Sequence, residues 1–113
     1  MDFKEYQTES RKTAMYPELG NTFLYPILGL LAEAGEVADK LKKHMRDDGI
    51  TTPAQLSEGQ KTELCKELGD VLWYLSQLTT ECGISFDDVA SMNIDKLHSR
   101  MERGKLGGSG DNR

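Results

Sequence analysis

Glu33-Ala34-Gly35-Glu36 returns further along the chain, in altered form, as Glu67-Leu68-Gly69-Asp70. With their flanks, Leu30-Leu31-Ala32-Glu33-Ala34-Gly35-Glu36-Val37-Ala38 and Leu64-Cys65-Lys66-Glu67-Leu68-Gly69-Asp70-Val71-Leu72 share the frame Leu-x-x-Glu-x-Gly-acid-Val. On a helix, at about 100° per residue, acids at i and i+3 lie side by side one turn apart. The apolar positions Leu30, Ala34, Val37 and Leu41, and then Leu64, Leu68, Val71 and Leu78, centre on one line in each copy. The acids flank that line. The frame therefore predicts two amphipathic helices, and antiparallel packing with the glycines close brings four carboxylates to one partly buried patch.

Such a patch repels itself. Like charges in low dielectric must take up protons or bind cations, and an all-oxygen donor set suits Mg2+, with Mn2+ as a substitute. Any one of these acids alone reads as an ordinary solvated helix flank. The repeated frame, with a helix-weakening glycine at the same place in both copies, turns the reading toward a metal site.

Working outward, Asp2 caps a first helix running to about Ala14, with Phe3, Tyr6 and Gln7 near one face. Pro17 and Gly20 break the pattern, and Tyr16, Phe23 and Tyr25 give the connection its aromatic content, as cover for one end of a bundle or as a stacking surface for a flat ligand. Pro26 suits the first turn of a second helix, periodic from Leu28 to Arg46 and stopped by Asp47-Asp48-Gly49. Thr52-Pro53-Ala54-Gln55 predicts a short helical turn in a mobile loop. Ser57 to Gln60 opens a third helix that reaches about Cys82, with Gly83 as its stop. Glu63, one turn before Glu67 on the same side, is either a fifth acid of the site or an ordinary partner for Lys66 or a solvent ion, and the ordinary role is the favoured reading.

Ser85 caps a fourth helix ending near Arg103-Gly104, with Phe86, Ala90, Ile94, Leu97 and Met101 as its apolar face. Beside that face Asn93, Lys96, Arg100 and Arg103 fall within about 80° of one another, a row fit to meet an anion. His44 and His98 share no ligand spacing and read as surface or structural residues. Residues 104–113 form a flexible Gly-rich tail, whose alternative role is a flap closing over phosphate with Arg113.

At 113 residues the chain is a single all-α domain, a four-helix bundle small enough that partner copies complete its core. A net charge of -5 argues against a general nucleic-acid surface. Cys65 and Cys82 fit neither zinc nor a disulfide framework, and they read as buried free thiols of a reducing compartment. No apolar run approaches the roughly 20 residues of a membrane span, and Met1-Asp2-Phe3-Lys4-Glu5 is no signal segment. The expectation is a cytoplasmic protein.

The paired Glu33-x-x-Glu36 and Glu67-x-x-Asp70 motifs, the run Glu67-Leu68-Gly69-Asp70-Val71-Leu72-Trp73-Tyr74-Leu75, and the late Asn93-x-x-Lys96-Leu97 resemble the MazG-like nucleotide pyrophosphohydrolases. These belong to the all-α nucleoside triphosphate pyrophosphatases. The resemblance covers nearly the whole chain. It implies Mg2+-dependent hydrolysis of a nucleoside triphosphate to the monophosphate and pyrophosphate. Glu33, Glu36, Glu67 and Asp70 would be metal ligands; one of these carboxylates would also activate the water, with Glu36 taken for that role although the sequence does not separate base from ligand. Asn93 and Lys96 would meet phosphate or sugar, Arg100 extends that row, and Tyr74 would lie against the nucleoside. The resemblance also implies a homodimer or homotetramer. The loop from Asp47 to Ser57 is long for the family.

Within the same superfamily the competing substrates are phosphoribosyl-ATP and dUTP. A di-iron bundle would need Glu-x-x-His motifs that the two histidines do not complete. A helical interaction module, whose acids merely solvate the bundle, is the non-enzymatic alternative.

Overall fold

Two long antiparallel helices carry the doubled frame. The computed structural model describes residues 1–113 and contains α1 (Phe3–Arg11), α2 (Leu24–Asp48), a 3-10 turn (Pro53–Gln55), α3 (Glu58–Glu81) and α4 (Phe86–Glu102), with no strand. At 1.5 Å rise per residue α2 and α3 are each about 36 Å long, and their mutual packing is the most extensive in the molecule.

Local chemistry sets the ends. The Asp2 carboxylate accepts from the Glu5 N–H at 2.7 Å, and Ser85 Oγ accepts from the Asp88 N–H at 3.2 Å. Ser57 and Gln60 form a reciprocal box, Oγ accepting from the Gln60 N–H at 3.1 Å and Gln60 Oε1 from the Ser57 N–H at 2.9 Å. Pro26 sits in the first turn of α2, where its missing N–H costs nothing. Gly49 closes α2 in the left-handed conformation at φ 66°, and Gly83 follows the C-cap of α3 at φ 68°. Helix 1 stops at Arg11, one turn before the expected Ala14, because the chain turns there to bring Tyr16 under α3.

Helix 1 lies antiparallel to the C-terminal half of α3 across a polar seam. Ser10 Oγ and Ser76 Oγ lie 2.9 Å apart, and the Gln77 amide donates to Ser10 Oγ at 3.3 Å. Gln7 donates to Thr79, Thr80 and the Ile84 carbonyl and accepts from the Phe86 N–H, so one amide locks α1, α3 and the entrance of α4 together. Phe3 and Tyr6 close over Phe86 with ring centroids at 4.9 and 6.4 Å.

The single chain leaves its apolar faces open. Helix 4 touches α1 and α3 but not α2. Of the apolar face predicted for α4 only Phe86 is buried, while Ile94, Leu97 and Met101 are exposed. Leu28, Leu31 and Leu68 on the long hairpin are exposed as well. The radius of gyration is 17.1 Å, against about 13 Å for a compact domain of this length. Cys65 and Cys82 are exposed, not buried as expected, because each lies off the side of its helix that meets a neighbour, α2 near Cys65 and α1 near Cys82. No helix is long and apolar enough to cross a membrane.

Candidate functional site

Packing α2 against α3 juxtaposes Glu33 with Glu67 and Asp70, and one carboxylate oxygen from each lies within 4.8 Å of the other two. The i, i+3 spacing puts Glu67 and Asp70 on one side of α3, and the antiparallel hairpin supplies Glu33 from α2. Burial, followed by the charges of Asp70, Glu67 and Glu36, raises the Glu33 pKa above the usual glutamate range. Glu36 is exposed one turn further on, outside this trio but near enough for its charge to act on Glu33.

The trio fits a hard divalent cation. Opposite ligands of octahedral Mg2+ stand about 4.2 Å apart, so a separation of up to 4.8 Å is closed by small side-chain rotations. No sulfur or imidazole joins the donor set, which matches Mg2+ or Mn2+. One cation is already close, since the Lys40 ammonium forms an ion pair with Glu67 Oε1. That hydrogen bond, against a desolvation penalty and with help from Glu67, Glu63 and Glu36, raises the Lys40 pKa. Glu63 faces His44 at 3.7 Å, not Lys66.

Beside Glu33 a cavity of about 280 Å3 is lined by Tyr25, Leu28, Gly29, Ala32, Glu33 and Tyr74. Its wall is an aromatic chain. Tyr16 stacks on Tyr25 with centroids 5.0 Å apart and planes 9° off parallel, Tyr25 meets Tyr74 at 6.5 Å, and Trp73 stands perpendicular to Tyr74 at 5.0 Å. Burial first, then the neighbouring Tyr25, Glu33 and Asp70, raises the Tyr74 pKa, keeping the phenol protonated. The predicted nucleoside-side residue thus lies next to the acids, with Tyr25 as its neighbour.

Two residues here escaped the sequence reading. Gly29 lies flat under Tyr74, where a Cβ would overlap ring atoms Cε1, Cδ1 and Cζ. Its signal was available, because a mid-helix glycine costs about 1 kcal/mol relative to alanine and asks for a packing reason. Gly29→Ala is expected to push Tyr74 out of place and to cost about 1–3 kcal/mol, read as a lower Tm together with altered near-ultraviolet circular dichroism. Tyr6 is the other. Half-buried on α1, it has its pKa raised by burial and then by the charge of Asp70.

The basic row meets different partners. Asn93 and Lys96 are exposed, whereas Arg100 is only 4% exposed. Lys96 Nζ lies 3.4 Å from Asp111 Oδ1, and Arg100 Nη2 donates to the Asp111 carbonyl at 2.6 Å. Arg103 donates to the Arg113 carbonyl at 2.9 Å. Within one chain the row therefore pairs with the tail, and no ion pair joins it to Glu33, Glu67 or Asp70.

A family model of the MazG nucleotide pyrophosphohydrolase domain matches residues 21–104. The chain belongs to the MazG family. The Gene 37 protein of Mycobacterium phage L5 is 41% identical over 114 residues, covering 96% of each chain. The uncharacterized protein YvdC of Bacillus subtilis (strain 168) is 35% identical over 75 residues, 65% of this chain and 70% of that one. No solved structure matches. The MazG match spans α2, α3 and α4 with both acidic motifs. Helix 1, with its polar seam, and the segment after Gly104 lie outside it.

Proposed function

We propose that this MazG domain hydrolyses nucleoside triphosphates, ribo- or deoxyribo-, to the monophosphate and pyrophosphate in a Mg2+-dependent reaction that maintains the cytoplasmic nucleotide pool. The observation that carries the reading is the convergence of Glu33, Glu67 and Asp70 from two helices onto one point beside an aromatic cavity. Like charges brought this close repel one another unless they take up protons or bind a cation. Here a half-buried carboxylate faces two others, and its raised pKa is the cost of that arrangement.

Glu33, Glu67 and Asp70 would hold the cation, with Glu36 one turn away able to join them. Bound there, a divalent ion neutralises triphosphate charge and lowers the pKa of a water. The cavity between Tyr25 and Tyr74 takes the nucleoside, which aims the phosphates at the acids. Glu36, exposed and unpaired with any lysine, accepts the proton of the attacking water. The water oxygen bonds to the α phosphorus as the bond to the α–β bridging oxygen breaks, and the electron pair leaves with pyrophosphate. Asn93, Lys96 and Arg100 stabilise that departing charge.

Because α4 does not reach α2 within one chain, the basic row and the acids are completed in a homodimer or homotetramer. The exposed Leu28, Leu31, Ile94, Leu97 and Met101 supply its interface.

The test is a turnover screen with Mg2+ against ribo- and deoxyribonucleoside triphosphates, with dUTP and phosphoribosyl-ATP included and products separated by chromatography. Monophosphate plus pyrophosphate is the expected pair. Absence of turnover with Mg2+ and with Mn2+, together with a Tm indifferent to Mg2+ and nucleotide, would point to the non-catalytic helical module instead.

A further inference from the structure

The segment after Gly104 does not trail away from the fold. Arg113 reaches back and donates to the carbonyls of Lys105 at 3.2 Å, Leu106 at 3.0 Å and Gly107 at 2.9 Å, and also to that of Gly110. The tail is thereby wound around a single guanidinium. Gly108 and Gly110, at φ 91° and 87°, make the turns that this winding needs. The coil delivers Asp111 to α4, where its carboxylate lies 3.4 Å from Lys96 Nζ and 3.5 Å from Arg100 Nη2.

We propose that this tail is an autoinhibitory latch, with Asp111 occupying on Lys96 and Arg100 the place of a substrate phosphate, so that the tail must leave before a polyphosphate is gripped. The idea rests on the function proposed above for its assignment of the basic row. Three features argue for a latch, not a permanent part of the fold. First, Asp111 is 86% exposed and both of its ion pairs are long, so water competes for them. Second, the tail covers Arg100 without satisfying it. That side chain is 5% exposed, and its Nε is buried without a hydrogen-bond partner. One carboxylate oxygen and two carbonyls leave the guanidinium edge half used, whereas a phosphate can accept from Nε and Nη2 together. Third, the tail lies beyond the MazG-matched residues and reaches the row only by folding back over it.

Lys96 and then Arg100 hold the Asp111 carboxyl below its usual pKa range, so the latch carries its charge at neutral pH. A closing flap would behave oppositely, since it would add donors to a bound phosphate. In the structure Arg113, the tail's one cation beyond Lys105, is instead spent on its own backbone carbonyls.

The experiment is calorimetric titration of inorganic tripolyphosphate, in metal-free buffer, into the full-length protein and its Asp111→Asn and Arg113→Gln variants. Loss of a surface ion-pair set predicts about threefold tighter binding for Asp111→Asn. Arg113→Gln, which unwinds the coil, is expected to tighten it at least as much. In the unaltered protein, tripolyphosphate should also speed trypsin cleavage after Lys105. Unchanged binding in both variants, or no binding in any of the three proteins, overturns the latch. Weaker binding overturns it in favour of a flap. Tighter binding in the variants of a protein that turns over no nucleotide would sustain the latch and sink the proposed reaction, so the two fail separately.

Discussion

Asp70→Asn is expected to cut triphosphate turnover by more than about a hundredfold, as loss of a group that stabilises transition-state charge does, with the helical circular dichroism unchanged. Glu67→Gln should match it. The exchange keeps shape and removes one negative charge from a trio whose oxygens converge within 4.8 Å. Glu36→Gln separates two roles. As the base it should lower kcat while Mg2+ affinity holds, and as a fourth ligand it should weaken Mg2+ binding in parallel. Near-normal turnover in all three variants would end the metal-site assignment.

Glu33→Gln adds a signature that a bystander acid would not give. Its carboxyl titrates above the ordinary glutamate range in the folded protein because of burial and the surrounding charges. A raised acid pKa means that the fold loses stability as pH climbs from the unfolded-state value through the raised one. At neutral pH, then, Glu33→Gln should gain about 1 kcal/mol in the metal-free state, a Tm rise of roughly 4 °C, while losing turnover. Equal Tm values for the variant and the unaltered protein across this pH range would show that the trio stores no repulsion.

Glu81→Ala carries the largest expected effect on stability. The Glu81 side chain is 1% exposed and meets Arg11 Nη2 at 3.0 Å, while its two oxygens accept from the Gly20 N–H at 2.9 and 3.0 Å. Arg11 also donates to the Tyr16 hydroxyl at 2.8 Å and to Gln77 Oε1 at 3.2 Å. This one ion pair therefore ties α1, the loop before α2 and the end of α3 together. Glu81→Ala removes the buried half of a part-buried pair and leaves the Gly20 N–H without its acceptor, at about 2–3 kcal/mol, or a Tm drop on the order of 10 °C. Burial alone would raise the Glu81 pKa, but the Gly20 N–H and Arg11 outweigh it and hold the carboxyl below the usual range. The stabilisation is accordingly full above the unfolded-state glutamate pKa and fades as pH falls through the lowered value. Glu81→Gln should be less stable at neutral pH and should lack that part of the acid-side loss. An acid-denaturation profile identical to that of the unaltered protein would refute the linkage.

How far the chain could be read without coordinates differs from element to element. The caps at Asp2, Ser57 and Ser85 and the stops at Gly49 and Gly83 are local hydrogen-bond and backbone problems, solved within a few residues, so the helices fall close to their expected bounds. The acidic cluster was legible in part for a related reason, since four carboxylates were expected and three converge, with Glu36 left outside. Two i, i+3 pairs on amphipathic helices leave the hairpin few ways to pack, and the common ones bring Glu33 toward Glu67 and Asp70.

Long-range matters were not legible. Nothing near Gly29 announces that Tyr74 will rest on it, because the two meet only across the α2–α3 interface. Glu81 resembled any late-helix acid until the loop before α2 delivered Gly20 and α1 delivered Arg11. The burial of Arg100 beneath the tail was not legible either, since a helical wheel knows nothing of a segment folding back from eleven residues away. Helix 4 marks the same boundary. Periodicity assigned it an apolar face, but whether that face is covered depends on which surfaces meet, and within one chain α2 does not come to meet it. Side-chain spacing along the chain thus determined the helices and the pairing of the acids, whereas the partners of Glu81, Arg100 and Gly29 were decided by tertiary packing, because each is set by residues that become neighbours only after the helices dock.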